Sequence, residues 1–172
     1  MTGAAVNPTA GSLLGFLTYG PMTGWDLDQL VEWSIGNFWN VTRSQIYREL
    51  RALAERGLVE VGETGARDRR PYTITPAGEE AFRAWLAADP GTETIRSRLL
   101  LTVFFGSLLP KERLAEILAR ARNQHAGELA RYQELRPNIE AGDPFQLATL
   151  KFGIAYEEAF LAWLDEVAEA LQ

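Results

Sequence analysis

The chain has 172 residues, a formal net charge of −6 at pH 7, no cysteine and a single histidine. Without cysteine it forms no disulfide, no thiolate zinc site and no cysteine nucleophile, and one histidine cannot build a histidine-rich metal centre. Apolar residues make up 47% of the chain, which is enough for a packed core and argues against general disorder.

Local sequence disfavours three further classes of protein. The N-terminus, MTGAAVNPTAGS, has no basic stretch followed by a long apolar run, so we expect no signal peptide. The longest apolar stretch, residues 99–109, is too short to span a bilayer, which predicts a cytoplasmic protein without membrane contact. The chain has no phosphate-cradling glycine loop, and Glu157 and Glu158 face different sides of a helix, so we expect neither an enzyme nor a cofactor.

Two short apolar helices are predicted at the start of the chain. The first covers residues 12–20, and residues 1–9 precede it as a loose arm or a short helical start. The second covers residues 23–38. Thr23 is suited to cap it, and Asp26, three residues later, completes a capping box.

A third helix, residues 43–56, has recognisable signals for both of its ends. Thr42 is a good N-cap, Gln45 stands at the capping-box position, and Gly57 suits the residue after the helix, where φ is positive. At about 100° per residue, this helix has one apolar stripe and one polar face. The stripe consists of Ile46, Leu50 and Leu53. The opposite face carries Ser44, Arg48 and Arg51, flanked by Gln45 and Tyr47.

A β-hairpin is predicted next. Residues 58–61 and 72–74 are strand-like, and the loop between them, 62–70, holds two glycines and three arginines. Thr75 and Pro76 then suit an N-cap and a first helical residue, which predicts a fourth helix that ends at residue 88.

This order of elements is typical of a winged helix-turn-helix, which suits duplex DNA. A major groove about 12 Å wide admits one α-helix, whose arginine and glutamine side chains match base edges, and a basic hairpin can reach an adjacent backbone or minor groove. Residues 42–72 hold seven arginines against five acidic residues, whereas residues 89–172 hold nine basic and thirteen acidic ones. The residues predicted to contact DNA are Ser44, Gln45, Arg48 and Arg51 at base edges, Arg43 and Tyr47 at phosphates, and Arg67, Arg69 and Arg70 in the wing.

Two alternatives stay open at this point. Residues 43–56 could form an ordinary amphipathic helix with a solvated charged face, although the hairpin and the three preceding helices favour DNA binding. The chain could also be a winged-helix protein-interaction module that does not bind DNA, since it is acidic overall and carries Glu49, Glu55 and Asp68 in this region. Binding to random duplex that does not respond to salt would exclude DNA as the partner.

The second half of the chain is predicted to be helical throughout. Residues 89–94 form a linker between a DNA-binding domain, 1–88, and a helical domain, 95–172. The helices are expected over 95–109, 111–136 and 145–171, with a turn over 137–144. The predicted fold class is therefore mostly α, with an N-terminal winged helix-turn-helix that has one β-hairpin wing, followed by an all-α C-terminal dimerisation domain.

Five segments resemble the PadR family of bacterial transcriptional regulators. They are LLGFLTYGPMTGWDL (13–27), FWNVTRSQIYRELRALAERGLVE (38–60), DRRPYTITPAGEEAFRAWL (68–86), LLLTVFFGSLLP (99–110) and LKFGIAYEEAFLAWLDE (150–166). The resemblance covers nearly the whole chain and fits the longer members, which have a multi-helix C-terminal domain. Trp25 departs from the family pattern, which usually has tyrosine there, and this difference bears on packing more than on base reading.

The resemblance implies a homodimeric DNA-binding regulator, often a repressor, that binds an inverted-repeat operator near a promoter. Many such proteins respond to phenolic acids, drugs or other small aromatic compounds. The DNA contacts of the family carry over onto Ser44, Gln45, Tyr47 and Arg48, and onto the wing arginines. An effector would act by changing the separation or tilt of the two DNA-binding lobes, which requires that it favour one arrangement over the other.

Dimerisation also has a physical argument. One recognition helix reads only a few base pairs, whereas two helices about 34 Å apart read a palindrome. The long helix 111–136 has a near-heptad apolar stripe, and the last helix is apolar on a broad face. The residues predicted at the dimer interface are Leu114, Leu118, Leu129, Phe160 and Val167. The open alternative is that these helices form only an intramolecular core.

The candidate effector site rests on one polar pair and several aromatic rings. His125 lies on the apolar stripe of helix 111–136 in register with Tyr132, where it could hydrogen-bond a carboxylate or phenol ligand. The aromatic residues that could line the pocket are Phe104, Phe105, Tyr156 and Trp163. The alternatives are a histidine satisfied within the core or an interface, and rings that only pack.

Overall fold

The computed structural model describes residues 6–36, 38–63, 70–92, 95–140 and 142–171. The chain divides into two compact units, Met1–Thr92 and Glu93–Gln172. The assignment of DNA binding to the first and of dimerisation to the second stays a prediction. Within the described ranges, no helix is long and apolar enough to cross a membrane.

In its described residues, the N-terminal unit contains four α-helices and three short strands. They are α1 (Pro8–Leu17), β1 (Met22–Thr23), α2 (Gly24–Ser34), α3 (Arg43–Glu55), β2 (Val59–Val61), β3 (Pro71–Ile74) and α4 (Pro76–Ala87). The predicted order of three helices, a hairpin and a fourth helix is confirmed. The first helix begins earlier than predicted because the Asn7 side chain accepts a hydrogen bond from the Ala10 amide, at 2.8 Å, and so caps α1.

The predicted caps of the next two helices are confirmed. Thr23 and Asp26 form a capping box at the start of α2, and Thr42 and Gln45 form another at the start of α3. Gly57 has a φ of 68°, the left-handed conformation predicted for the residue that follows α3. These local sequence signals therefore define α3 as predicted, except that the helix ends one residue earlier, at Glu55.

The hairpin belongs to a three-stranded antiparallel sheet of order β1-β3-β2. Val59 pairs with Ile74 and Val61 with Tyr72, as the predicted wing requires. The sequence analysis missed β1, in which Met22 pairs with Tyr72. A two-residue strand has no periodicity of its own, so only its partner in the folded chain defines it.

The core of the N-terminal unit joins α1, α2 and α3. The predicted stripe of α3, Ile46, Leu50 and Leu53, is fully buried. Its partners on the other helices are Leu13, Leu14, Leu17 and Leu27. Two glycines of α1 let α4 pack closely, because an added Cβ would meet the Trp85 ring at Gly11 and the Phe82 ring at Gly15. Because the apolar stripe of α3 is buried in this core, the opposite face of α3 is exposed to solvent.

The C-terminal unit is an antiparallel pair of long helices with a short helix against it. Its elements are α5 (Arg98–Phe104), a 3-10 turn (Gly106–Leu108), α6 (Lys111–Glu140) and α7 (Pro144–Glu169). A small buried cluster of Leu114, Leu118 and Leu164 joins α6 to α7, with residues of α5 packed against it. The mostly α fold class, with a winged helix-turn-helix followed by C-terminal helices, is confirmed.

Two predicted boundaries in this unit were wrong. The helix expected over 95–109 is only seven residues long, and a 3-10 turn follows it. The turn expected over 137–144 is shorter, because α6 continues through Pro137 to Glu140. Proline lacks one donor but has a helical φ, so near the end of a long helix it need not stop the helix.

Candidate nucleic-acid interface

The outward face of α3 is exposed, as the sequence predicted. Ser44, Arg48 and Arg51 are all exposed, whereas the stripe on the opposite side is completely buried. This contrast follows from the helical period, since residues half a turn apart face opposite directions. The arrangement leaves the first turns of α3 open to a groove-sized partner.

The capping box restricts what Gln45 can read. Its side-chain carbonyl oxygen accepts a hydrogen bond from the Thr42 amide at 2.8 Å and another from the Thr42 hydroxyl at 2.9 Å. A bidentate contact with adenine requires both the carbonyl and the amide group of a glutamine. Gln45 therefore starts the helix in this structure, and only its amide nitrogen remains suited to a base contact.

Arg43 is held by a carboxylate of the neighbouring helix. Its Nε and one terminal nitrogen donate to the same oxygen of Asp28, at 2.9 and 2.6 Å. The Asp28 side chain is 15% exposed and the Arg43 side chain 59%. This hydrogen bond and the Asp28 charge raise the pKa of Arg43 above its ordinary value. The predicted phosphate contact of Arg43 thus begins from a guanidinium that already has an anionic partner.

Arg48 belongs to a polar chain that reaches α1. Its guanidinium lies 3.2 Å from one oxygen of Glu49, and the Asn7 amide donates to the other oxygen at 2.9 Å. Glu49 is buried, whereas the Arg48 side chain is 66% exposed. The residue that caps α1 is therefore also bonded to α3, beside the predicted base-reading arginine. An ion pair this exposed holds Arg48 only weakly.

The remaining predicted contacts differ in how firmly they are held. Tyr47 lies against α2, where a Cβ on Gly24 would come within 2.5 Å of its ring. The Nε of Arg51 donates to the Tyr47 carbonyl at 3.3 Å, a long bond on an exposed side chain. Arg70 is exposed and lies directly before β3. The other two wing arginines, Arg67 and Arg69, lie outside the described residues.

In the C-terminal unit, His125 has a protein partner. Its Nδ1 lies 2.5 Å from a carboxylate oxygen of the buried Glu157, and its ring stacks on Phe160 at 4.0 Å between centroids. Phe160 also contacts Tyr156 and Trp163. Three of the predicted effector residues therefore meet around one phenyl ring. The sequence analysis missed Glu157 in this role because it lies on another helix, 32 residues away.

The other predicted effector residues are arranged differently. Tyr132 is buried, and its hydroxyl makes no hydrogen bond of ordinary geometry among the described residues, although the Arg131 guanidinium lies near it. Burial raises the pKa of Tyr132 above its ordinary value, and the charge of Arg131 opposes this. Phe104 and Phe105 contact each other edge to face and are both exposed. The six residues thus do not line one enclosed pocket.

An open groove lies at the opposite end of the helix pair from the turn between α6 and α7. It has a volume of about 530 Å³. Its walls are Lys111, Glu112, Ala115, Leu118, Ala119, Arg122, Leu164, Asp165, Ala168 and Leu171. The predicted effector residues are not among them. Its apolar walls are alanines and leucines, and two of its charged residues, Arg122 and Asp165, form an ion pair at 2.7 Å.

The predicted dimer residues lie largely inside the chain. Leu114 and Leu118 are 4% and 3% exposed and belong to the cluster between α6 and α7. Phe160 and Val167 are half-buried against the same cluster, and Leu129 is half-buried. The apolar stripe of α6 therefore forms part of the core of a single chain. This is the intramolecular alternative that the sequence analysis left open. Any partner contact must use other side chains as well.

These features define a winged-helix protein with an exposed recognition helix, joined to a unit of long helices. Residues 13–84 match the model of the Transcriptional regulator PadR-like family, and residues 95–172 match that of the Virulence activator alpha C-term family. The resemblance to PadR-like transcriptional regulators that the sequence analysis stated is confirmed over residues 13–84. Members of this family are regulators and not enzymes, which confirms the expectation that the chain is not an enzyme.

Individual relatives agree along almost the whole chain. The Negative transcriptional regulator PadR of Bacillus subtilis is 24% identical over 91% of this chain and 93% of its own length. The Probable transcriptional regulator Rv1176c of Mycobacterium tuberculosis is 29% identical over 87% of this chain and 90% of its own.

Solved structures show the same fold. Bacillus subtilis PadR in complex with operator DNA matches with a TM-score of 0.82 and 22% identity, over 96% of this chain and all of that one. Bacillus subtilis PadR in complex with p-coumaric acid matches with a TM-score of 0.75 and 23% identity, over 94% of this chain and 97% of that one. At these identities the similarity shows the fold alone. The DNA and ligand contacts of this chain have to be argued from its own residues.

Proposed function

We propose that this regulator binds an inverted-repeat operator in double-stranded DNA as a homodimer, represses transcription there, and is released by a small aromatic compound. It would act in the cytoplasm, where its DNA partner lies. Each copy would read one half-site with the outward face of α3 and contact the flanking backbone with the wing. The C-terminal unit would hold the two copies together and bind the effector.

The observation that carries the proposal is the pair of opposite faces on α3. Its fully buried stripe fixes the helix on the N-terminal unit, and Ser44, Arg48 and Arg51 remain exposed on the other side. Arginine is the side chain best matched to guanine in the major groove. Bacillus subtilis PadR, which shares this fold, has been solved with operator DNA. That complex supports a DNA partner here.

Repression and effector release are supported by the same relative. It is called a negative transcriptional regulator, and one of its structures contains p-coumaric acid. A phenolic acid also suits His125, whose ring stacks on Phe160, which in turn contacts Tyr156 and Trp163. Residues 95–172 match a virulence-activator family, so repression has to be tested against activation.

A selection of bound sequences from random duplex DNA tests the proposal. We expect a palindrome whose two half-sites are separated by about one helical turn, roughly 34 Å, because two recognition helices related by a twofold axis would read it. A single half-site would overturn the dimeric binding mode, and failure to enrich any sequence would overturn specific DNA binding. A reporter gene placed behind the selected operator, with and without p-coumaric acid, then tests the sign of regulation and the release.

The contribution of α3 is tested with a charge-matched pair of variants. Arg51→Ala removes an exposed cation from the proposed reading face, and we expect weaker and less selective binding, by about 1–3 kcal/mol at a contacted base. Arg83→Ala removes another exposed cation, on α4, and serves as the control. Equal losses for the two variants would mean that net charge, and not the face of α3, is responsible.

A protein-interaction module is the second candidate, and two ion pairs favour it. Arg43 and Arg48 each have a carboxylate partner within the chain, which lowers the net charge presented to a polyanion. A salt titration of binding to random duplex separates the two candidates. A steep fall in affinity with salt supports DNA, and a flat response supports a protein partner.

A further inference from the structure

Glu49 is a buried carboxylate within the recognition helix α3. At about 100° per residue it lies between the apolar stripe of the helix and its outward face. Its side chain is 12% exposed, whereas the side chain of its neighbour Arg48 is 66% exposed. Removing a carboxylate from water is unfavourable unless its oxygens are paired, so the partners of Glu49 decide how it can act.

The two oxygens of Glu49 have different partners. The side-chain amide of Asn7 donates a hydrogen bond to Oε2 at 2.9 Å. The carbonyl oxygen of the same Asn7 side chain accepts a hydrogen bond from the Ala10 amide at 2.8 Å, which caps α1. Asn7 is therefore bonded at both ends of its amide group, and it fixes the Glu49 carboxylate against α1. The other oxygen, Oε1, is left for Arg48.

Arg48 contacts Glu49 with only one edge of its guanidinium. Nε and Nη2 lie 3.4 and 3.2 Å from Oε1. A guanidinium is planar and has a second pair of donors, on the edge formed by its two terminal nitrogens. Among the described residues nothing else bonds to Arg48, so this second edge is open. Glu49 thus orients an exposed side chain without withdrawing it from solvent.

We propose that Glu49 is a positioning residue that makes Arg48 selective for guanine. The O6 and N7 atoms of guanine accept two hydrogen bonds, which Arg48 can donate from its open edge while it keeps its contact with Glu49. A phosphate that draws Arg48 away would leave one oxygen of a buried carboxylate without its cation. Glu49 therefore weakens a phosphate contact more than a guanine contact. This inference rests on the DNA binding of the proposed function and assigns one source of its specificity.

The other arginines of α3 are arranged differently. The Nε of Arg51 donates to the backbone carbonyl of Tyr47. Arg43 has a carboxylate partner in Asp28, but it is the first residue of the helix, where a phosphate contact is predicted. Only Arg48 combines a place on the outward face with a carboxylate behind it. We therefore expect a strict requirement for guanine at one position of each half-site.

The test combines a variant of the protein with a change of single atoms in the DNA. In the operator selected from random duplex, each guanine is replaced in turn by 7-deazaguanine, which lacks the N7 acceptor. Binding of the unmodified chain should weaken by at least about fivefold at the guanine that Arg48 contacts. Glu49→Gln removes the charge but keeps the size of the side chain and an oxygen for the Asn7 amide. Glu55→Gln removes the same charge from an exposed position of α3 and is the matched control.

We expect Glu49→Gln to reduce the loss caused by 7-deazaguanine several-fold and to tighten binding to random duplex, because the released arginine can pair with phosphates. Glu55→Gln should leave the loss at N7 unchanged. In a chain that already carries Arg48→Ala, Glu49→Gln should not change the preference for guanine any further. This comparison between variants shows that Glu49 acts through Arg48.

A purely structural role of Glu49 predicts a different result. Glu49→Gln would then lower the unfolding temperature and weaken binding to every duplex alike, with the loss at N7 unchanged. That outcome, or an equal effect of Glu55→Gln, would overturn this inference and leave the proposed function intact. Failure of the unmodified chain to select any sequence would overturn the proposed function itself.

Discussion

Arg43 and its partner Asp28 form a pair that only the folded chain brings together. The two residues belong to different helices, and the bond lies at the start of α3, the end that faces DNA in the proposed function. A phosphate would have to compete with Asp28 for the guanidinium. Asp28 therefore acts as a built-in competitor at the edge of the proposed interface.

Asp28→Asn should strengthen binding to any duplex and leave the preferred sequence unchanged, because it removes a carboxylate from a phosphate contact and not from a base contact. The plot of log affinity against log salt should become steeper by about one unit. Glu32→Gln is the control, since it removes the same charge from α2 without removing the partner of Arg43. An equal effect of the two variants would show that only net charge matters.

Removing the Tyr132 hydroxyl should affect the stability of the free protein and its binding of ligand in opposite directions. This buried hydroxyl makes no hydrogen bond of ordinary geometry in the described part of the chain. Tyr132→Phe should raise the free energy of unfolding by about 1 kcal/mol, because it removes an unsatisfied polar group. The same variant should reduce stabilisation by p-coumaric acid if the ligand supplies that partner. Thermal unfolding with and without the ligand measures both, with Tyr156→Phe as the control, and a loss of stability in the ligand-free protein would contradict the prediction.

At the scale of elements, the capped starts of α2 and α3 were predictable and the helix contacts were not. The capping boxes of α2 and α3 involve residues three apart, so the sequence alone specifies them. The bond between Asn7 and Glu49 joins residues 42 apart, and no local pattern predicts it. Arg48, which the sequence did identify, lies beside this bond. The chemistry of the recognition helix was thus predictable, whereas the polar groups that hold it were not.

Glycines at two helix positions should respond in opposite ways to alanine. An added Cβ at Gly127 in α6 meets no atom within 4 Å, so Gly127→Ala should stabilise the protein by up to about 1 kcal/mol through helix propensity alone. At Gly11 in α1 the Cβ would lie 2.8 Å from the Trp85 ring, so Gly11→Ala should destabilise it by roughly 1–3 kcal/mol. Denaturant unfolding measures both changes. Stabilisation by Gly11→Ala would mean that α4 is not packed on α1 as described.

For the whole molecule, stability and assembly should be coupled. The C-terminal unit has a small internal core and exposed apolar side chains on α5 and α7, so dissociation should remove much of its packing. If the unit unfolds when the dimer separates, the apparent free energy of unfolding should fall by about 1.4 kcal/mol for each tenfold dilution. Thermal unfolding over a hundredfold range of concentration measures this.

A concentration-independent unfolding temperature for the unmodified chain would show that the C-terminal unit is stable as a monomer. The groove of about 530 Å³ and the exposed α5 would then need another occupant.

The sequence by itself determined the local features of this protein. The caps, the buried stripe of α3 and the polar face opposite it depend on residues that are close together in the sequence. Tertiary structure decided which residues meet across elements. In the folded chain Arg43 forms an ion pair with Asp28, and β1 pairs with a strand of the wing. Leu114 and Leu118 are buried within one chain. An apolar stripe has the same sequence whether it packs within a chain or between two, so only the packing of α5, α6 and α7 shows which surfaces remain for a partner.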